Sequence, residues 1–264
     1  MRYTPLFLTL ILLAACNTPP EDSTQFFSGK HYGGHRDWDN FNQTQTTVIG
    51  DTLRYERLVY HRNGMENRGA AEIHRIQMRV HSKDSVVVLF DSLSYTWPGG
   101  PKWHKTRDGD SLSVSYDDPR RVNFEYEEGM VYRLFASPLT FTSPTAVEQY
   151  ILHIPLDETF QQDIFLADTL LRPFRVKVLG SILMDVNGSG PVDCYEVALV
   201  ALDESTLGNA TFFIGSAGEG TLKRHQTINE RHMGKRHKSI YNEYRISKGA
   251  YDQLIEAHPI ILKS

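Results

Sequence analysis

The stretch Leu53-Arg54-Tyr55-Glu56-Arg57-Leu58-Val59-Tyr60-His61 decides the fold. Leu53, Tyr55, Arg57, Val59 and His61 alternate with Arg54, Glu56 and Leu58, the period of two that belongs to an extended strand. Asn63-Gly64 then marks a turn, and residues 71–81 read as the returning strand of a hairpin. Downstream, 85–95 is a Val-rich strand of central type. Residues 112–116, 122–126 and 130–135 follow at hairpin spacing, with Asp108-Gly109 and Glu128-Gly129 as turns.

The pattern changes at Ser143. Pro144 in a first turn, Glu148, and the spacing of Val147, Tyr150 and Ile151 predict a short helix near 145–152 that stops before Pro155. Strands resume over 174–186, 192–203, 210–215, 221–228 and 239–246. Ser247 then caps a terminal helix near 248–257, stopped by Pro259. The fold class is mainly β: about a dozen strands in one extended, curved antiparallel sheet or half-barrel, with two short helices. Asp51-Thr52-Leu53 recurs as Asp168-Thr169-Leu170 ahead of another hairpin, too short an echo to establish a duplication.

Working outward to the N-terminus, Arg2 and an apolar run over 6–13 form a secretory signal too short to span a bilayer. It ends in Leu13-Ala14-Ala15-Cys16, which resembles the bacterial lipobox, where the chain is cut before a diacylated Cys whose new amine is then acylated, commonly with palmitate. The alternative is a plain signal peptide with an incidental Cys. The resemblance implies a lipidated Cys16 and a lipoprotein of the cell envelope, facing the periplasm, with its acyl chains in the membrane. Asn17 stands where an inner-membrane retention signal places Asp, which points to the outer membrane. The expected organisation is a signal peptide over 1–15, a tether over 16–44 and one β domain over 45–264. The tether reading rests on Pro19-Pro20-Glu21-Asp22-Ser23 and on His31-Tyr32-Gly33-Gly34-His35, which show no periodicity.

Composition narrows the function. The formal charge is −4 and becomes about −5 once Arg2 is removed, so no nucleic-acid binding is expected. Only Cys194 remains as a thiol after lipidation of Cys16, which leaves no intrachain disulfide and reads as a small core residue. No Gly-x-Ser-x-Gly elbow, His-Glu-x-x-His helix or phosphate loop is present, and no catalytic residue is assigned.

The stretch 145–156, with its Pro155-Leu156 element, is similar to part of the domain-of-unknown-function 3108 family of bacterial envelope proteins. Val176-Lys177-Val178-Leu179-Gly180 through Asp193-Cys194-Tyr195-Glu196-Val197 resembles that family's second long hairpin. Thr211-Phe212-Phe213-Ile214 with Gly220-Thr221-Leu222-Lys223-Arg224 resembles the strand pair that follows, although the family usually carries Trp where Phe213 stands and a charged turn over 215–220. The resemblance covers about 45–245 and implies a curved sheet or half-barrel, akin in shape to carriers of lipoproteins. It transfers no catalytic residues.

Four groups of residues stand out as candidate sites. Asp185, Asn187, Ser189, Asp193 and Glu196 carry oxygen donors at the spacing of a calcium loop, with Gly190 and Val192 nearby, and resemble a cellulosomal dockerin loop. The flanking Val176, Val178 and Ile182 are poor helix formers, so a hairpin turn is the competing reading. Lys223, Arg224, Lys235, Arg236 and Lys238 concentrate positive charge and are candidates for phosphate contacts at a membrane surface, against the plainer reading of solvated strand ends. Trp97 and Trp103 sit on a Pro-stiffened loop and are candidates for the rim of a ligand site, against packing over an open sheet end. His31, His35, Asp37 and Asp39 could ligate a metal, but Gly33-Gly34 separates the histidines and a mobile tether is the simpler reading.

Two functions compete. The first is a non-enzymatic, membrane-anchored lipoprotein that binds an apolar ligand or an envelope protein partner in a sheet concavity, without a cofactor, covered in part by the terminal helix around Tyr251, Leu254 and Ile255. The second is a calcium-dependent module or metal-assisted enzyme built on the 185–196 loop.

Overall fold

Alternation carries most of the chain into strands. A computed structural model describes residues 22–33, 36–63, 68–96, 103–108, 111–116, 131–133, 139–167, 171–186, 190–203, 208–232 and 235–257. The first five strands are β1 (Asp22–Gly33), β2 (Arg36–Ile49), β3 (Thr52–Asn63), β4 (Arg68–Ser82) and β5 (Ser85–Thr96). They run on into β6 (Trp103–Asp108), β7 (Ser111–Tyr116), β8 (Val131–Arg133) and the two-residue β9 (Thr140–Phe141). Helix α1 (Pro144–Ile151) interrupts the strands, followed by β10 (Gln161–Ala167), β11 (Leu171–Asp185), β12 (Pro191–Ala201) and β13 (Asn209–Gly215). The chain ends in β14 (Thr221–His232), β15 (Lys235–Ile246) and α2 (Lys248–Ala257).

These strands form one sheet in the order β8-β7-β6-β5-β4-β3-β2-β1-β15-β14-β13-β12-β11-β10-β9, antiparallel except for the β9–β10 pair. The sheet curls until β9 lies against β5, so twelve strands from β5 round to β9 make a nearly closed barrel. At that seam Thr142 and Ser143 donate hydrogen bonds to the Asp91 carboxylate on β5. Two glycines meet specific demands of this wall. Gly50, with φ of +62°, provides the left-handed residue of the two-residue β2–β3 turn. At Gly29 a Cβ would overlap the carbonyl oxygen of Asn242 and come within 2.8 Å of the Glu243 Cα, so β1 and β15 can approach only without a side chain there.

The core is the barrel interior. Leu53, Ile76, Met78, Val86 and Val88 on one side face Ile164, Leu166, Phe174, Val176, Val197, Leu199 and Ile214 on the other. Helix α1 fills the space between them, and every residue from Ala146 to Ile151 is buried. Burying Val147, Tyr150 and Ile151 contributes about 1.5–3 kcal/mol each. Ser143 caps the helix by accepting from the Ala146 amide at 3.1 Å, Pro144 opens the first turn, and the Tyr150 hydroxyl donates to the Lys83 carbonyl in the β4–β5 turn. A smaller cluster of Cys194, Phe213 and Leu222 lies apart from this core, with Met184, Val186 and Val192 around it. Burial pushes the Cys194 thiol above its ordinary range, as befits a packed rather than a reactive sulfur.

Three expectations change. The helix expected near 145–152 is present, but it is the internal plug of the barrel. Helix α2, expected to cover the concavity, packs on the outside: Tyr251 meets Phe26 at 4.9 Å between ring centroids, while the adjacent Phe27 points inward. Residues 22–44, expected within a tether, form β1 and most of β2. The inward positions of β2 are Asn40, Asn42 and Thr44, all buried, so the polar-apolar contrast that usually reveals a strand is missing there. On β1 the inward Phe27 stands beside an outward Phe26. The strand expected over 122–126 lies outside the described residues. Among the described residues no helix is long and apolar enough to cross a membrane.

Candidate functional site

The interior changes character along its length. The face of β3 that begins with Leu53 and Tyr55 continues through Arg57, Val59 and His61. Strand pairing sets Arg57 opposite His74 and Val59 opposite Glu72 on β4, and His74 opposite Leu93 on β5. Across the barrel, Arg224 on β14 stands opposite Glu243 on β15, and Gln226 opposite Tyr241. Together with Phe212 and the first turn of α1 these side chains line a cavity of about 250 Å3.

One wall of the cavity is a chain of buried ion pairs. Arg57 Nη2 donates to Glu243 Oε1 at 2.5 Å, and Arg224 Nη1 reaches Glu243 Oε2 at 3.4 Å. Arg224 Nε also donates to both Glu148 oxygens at 2.9 and 2.8 Å, so a helix residue ties the plug to the wall. Thr221 Oγ1 adds a bond to Glu148 Oε1 at 2.6 Å, and the Arg224 guanidinium lies 3.9 Å from the centre of the Phe27 ring. Burial works against both guanidinium charges. The carboxylates nevertheless hold them above the ordinary range: Glu148 foremost, with Glu243, at Arg224, and Glu243 foremost at Arg57. Burial pushes the Tyr55 hydroxyl beside them well up, so it stays a neutral phenol.

A second group closes the seam. His74 Nε2 shares a hydrogen with Asp91 Oδ1 at 2.6 Å, while Thr142 and Ser143 (3.3 Å) bond to Oδ2. Serine, histidine and aspartate meet here in the wrong order for acyl transfer. Both hydroxyls bond to the carboxylate and the imidazole is behind it, so no base is placed on a nucleophile. The contacts fix geometry rather than activate a hydroxyl.

The third group is His61, whose Nδ1 pairs with Asn40 Oδ1 at 2.8 Å and whose Nε2 lies 3.6 Å from Glu72 Oε2. Burial would raise the Glu72 carboxyl, but the His61 hydrogen bond and the charges of His61, Arg57 and His74 bring it down to about 2. A quarter of the Glu72 side chain stays open to the cavity. Nearby, His31 is stacked on Tyr241 at 3.9 Å and 10°, and burial lowers it to about 4.

The residues singled out in the sequence occupy other places. Cys16 and Trp97 lie outside the described residues, and Trp103 begins β6 opposite Tyr95 and Tyr116. The basic cluster divides by strand alternation. Lys223 points outward, 4.9 Å from the Phe213 ring centre and 5.0 Å from that of Tyr244, and Lys238 is exposed. Arg224 instead points inward at 6% exposure, where it cannot meet a membrane surface; this corrects the grouping of the five cations. Lys235 and Arg236 open β15, opposite His232 and Arg231.

The calcium-loop set also separates. Asp185 closes β11, Asp193 and Glu196 lie on β12, and the flanks are strands rather than helices. Asp185 pairs with Pro191 and so shares a face with Asp193, while Glu196, three positions on, projects from the opposite face. Asn187 and Ser189 lie outside the described residues. Among the described residues no three metal-ligating side chains converge. The cavity residues were missed because their partners are distant in sequence. The available signal was Arg57 and His61 standing in phase with Leu53, Tyr55 and Val59.

No family model and no curated protein matches the chain. The domain-of-unknown-function 3108 family therefore stands on sequence resemblance alone. Among solved structures, the chain is similar to a β-barrel-like protein of domain of unknown function DUF1849 from Brucella abortus. The TM-score is 0.50 at 8% identity, over 87% of this chain and 98% of that one. A DUF1329 family protein from Desulfovibrio piger aligns at TM-score 0.28 and 11% identity, over 86% of this chain and 84% of that one. A third structure, described as an outer membrane lipoprotein-sorting protein domain from Vibrio parahaemolyticus, aligns at TM-score 0.24 and 8% identity, over 90% and 93%. At such identity the first likeness is one of fold, a curled antiparallel barrel.

Proposed function

We propose that the protein is a non-enzymatic lipoprotein of the cell envelope, anchored through Cys16 in the outer membrane, whose barrel interior binds a small ligand. The observation that carries the binding reading is the cavity of about 250 Å3 beside α1. Protein interiors are close-packed, and a volume of roughly eight waters inside a barrel is far larger than a packing defect. Its wall is mixed: Val59, Leu93 and Phe212 supply apolar surface, and the ion-pair chain, Glu72 and the imidazoles of His61, His74 and His225 supply polar surface. A small amphipathic molecule suits it better than the purely apolar ligand expected from a bare sheet. Trp97 and Trp103 remain the proposed rim on the sequence pattern alone, two indoles on a Pro-stiffened stretch.

The anchor rests on Leu13-Ala14-Ala15-Cys16 and the apolar run before it. Native mass spectrometry of protein extracted from its own envelope tests both parts. The expected result is a mass above that of residues 16–264 by the acyl groups, plus a dissociable small molecule. A soluble protein with a free Cys16 thiol would end the anchoring reading, and an empty barrel would count against binding.

A further inference from the structure

The charge ledger of the cavity identifies what kind of polar group it receives. Both of its guanidiniums face carboxylates, Arg57 on Glu243 and Arg224 on Glu148 and Glu243, although the Arg57 Nε has no hydrogen-bond partner among the described residues. The other positive feature, the N-terminal turn of α1, is met by Asp91, on which Thr142 and Ser143 converge. That leaves Glu72, which lies 3.6 Å from the His61 imidazole and feels the Arg57 charge. Among the described residues it has no guanidinium in salt-bridge contact, and a quarter of its side chain is open to the cavity. Among the described residues in and around the cavity, four carboxylates (Glu72, Asp91, Glu148 and Glu243) stand against two guanidiniums (Arg57 and Arg224). An anion entering this space would meet Glu72 and Glu243, and both described arginines of the lining already carry a carboxylate. A cation would find a desolvated carboxylate with a lone pair to offer.

We infer that the cavity recognises a small organic cation, an amine carried on a short apolar body, through Glu72. The ammonium donates to Glu72, with the Tyr241 ring across the barrel, and the body packs on Val59, Leu93 and Phe212. A volume of about 250 Å3 sets the size at on the order of ten non-hydrogen atoms. This assignment rests on the binding reading above but can fail without it.

The test compares three near-isosteric, water-soluble probes on the mature full-length protein in detergent: cyclohexylmethylamine, cyclohexylmethanol and cyclohexanecarboxylate. Ligand-observed NMR titration reads the dissociation constants, and thermal unfolding gives an independent readout. The amine should bind, the alcohol about tenfold or more weakly, and the carboxylate not at all; Glu72→Gln should remove the preference for amine over alcohol. Carboxylate binding as tight as the amine, or an amine preference that survives Glu72→Gln, overturns the cation assignment and leaves the binding reading standing. If none of the three binds, the assignment falls, and an empty protein from the native envelope then removes the binding reading as well. Should Glu72→Gln not fold, the amine-to-carboxylate ratio of the unaltered protein decides alone.

Discussion

Glu148 of the internal helix and Arg224 of the barrel wall are joined by a buried, two-oxygen contact, with Arg224 Nε at 2.8 and 2.9 Å from the carboxylate. Both side chains are nearly solvent-free, at 1% and 8% exposure. Breaking one side strands a desolvated charge. Arg224→Met or Glu148→Gln should each lower stability by about 3–5 kcal/mol, while the double change to Met and Leu recovers much of that loss. Urea unfolding of the single and double variants checks this; losses that simply add would show the two residues to be energetically independent.

Ser143 has two roles, capping α1 and bonding to Asp91 across the seam. Ser143→Ala should cost about 1 kcal/mol from the cap. Ser143→Thr, which keeps the hydroxyl, should cost less. Chemical denaturation midpoints distinguish them, and equal losses would assign the effect to packing instead of the hydroxyl.

Acid should weaken the fold before the ordinary carboxylate range is reached. Burial, followed by the charge of His61, lowers His31 from 6.5 to about 4, with Glu72 pulling the other way. The unfolded chain therefore takes up this proton first, near pH 6.5. The stabilisation from a neutral His31 is complete above pH 6.5 and is lost as pH falls toward 4. His31→Gln should flatten the melting temperature across this window, and an unchanged slope would remove His31 as its source.

Gly29 should tolerate no side chain. Gly29→Ala forces β1 away from β15 at the Asn242 carbonyl and should cost several kcal/mol or prevent folding. Gly50→Ala meets no atom within 4 Å and should cost about 1 kcal/mol, the penalty for a left-handed φ alone. Circular dichroism melts of the two variants make the comparison; similar melts would contradict the close approach at Gly29.

Strand alternation was legible wherever one phase is apolar, as in Leu53, Tyr55 and Val59, and so were the helices, whose caps and periodicity are local signals. The first two strands were not, because on β2 Asn40, Asn42 and Thr44 take the inward phase without being apolar, and on β1 Phe26 and Phe27 give both phases an aromatic. The site was legible only as an anomaly. Arg57 and Glu243 are 186 positions apart, and no local pattern announces that pair. Nor can alternation alone say whether Arg224 or Lys223 turns inward. A bulge between Phe213 and Ile214 shifts the pairing there and decides it.

The pairing of the first strand with the last governs how the barrel comes to exist. Phe26 on β1 is aligned with Ile246 on β15, so the wall closes only after almost the whole chain is available. At synthesis rates of roughly 5–20 residues per second, β1 waits on the order of 10–40 s for its second neighbour, with one edge of amides and carbonyls open throughout. Contacts of such long sequence separation also slow the closing step itself. A chain that emerges N-terminus first is thus an unclosed sheet for that time, vulnerable at β1 to pairing with another chain. Assembly in the cell is therefore a race between the arrival of β15 and intermolecular strand addition.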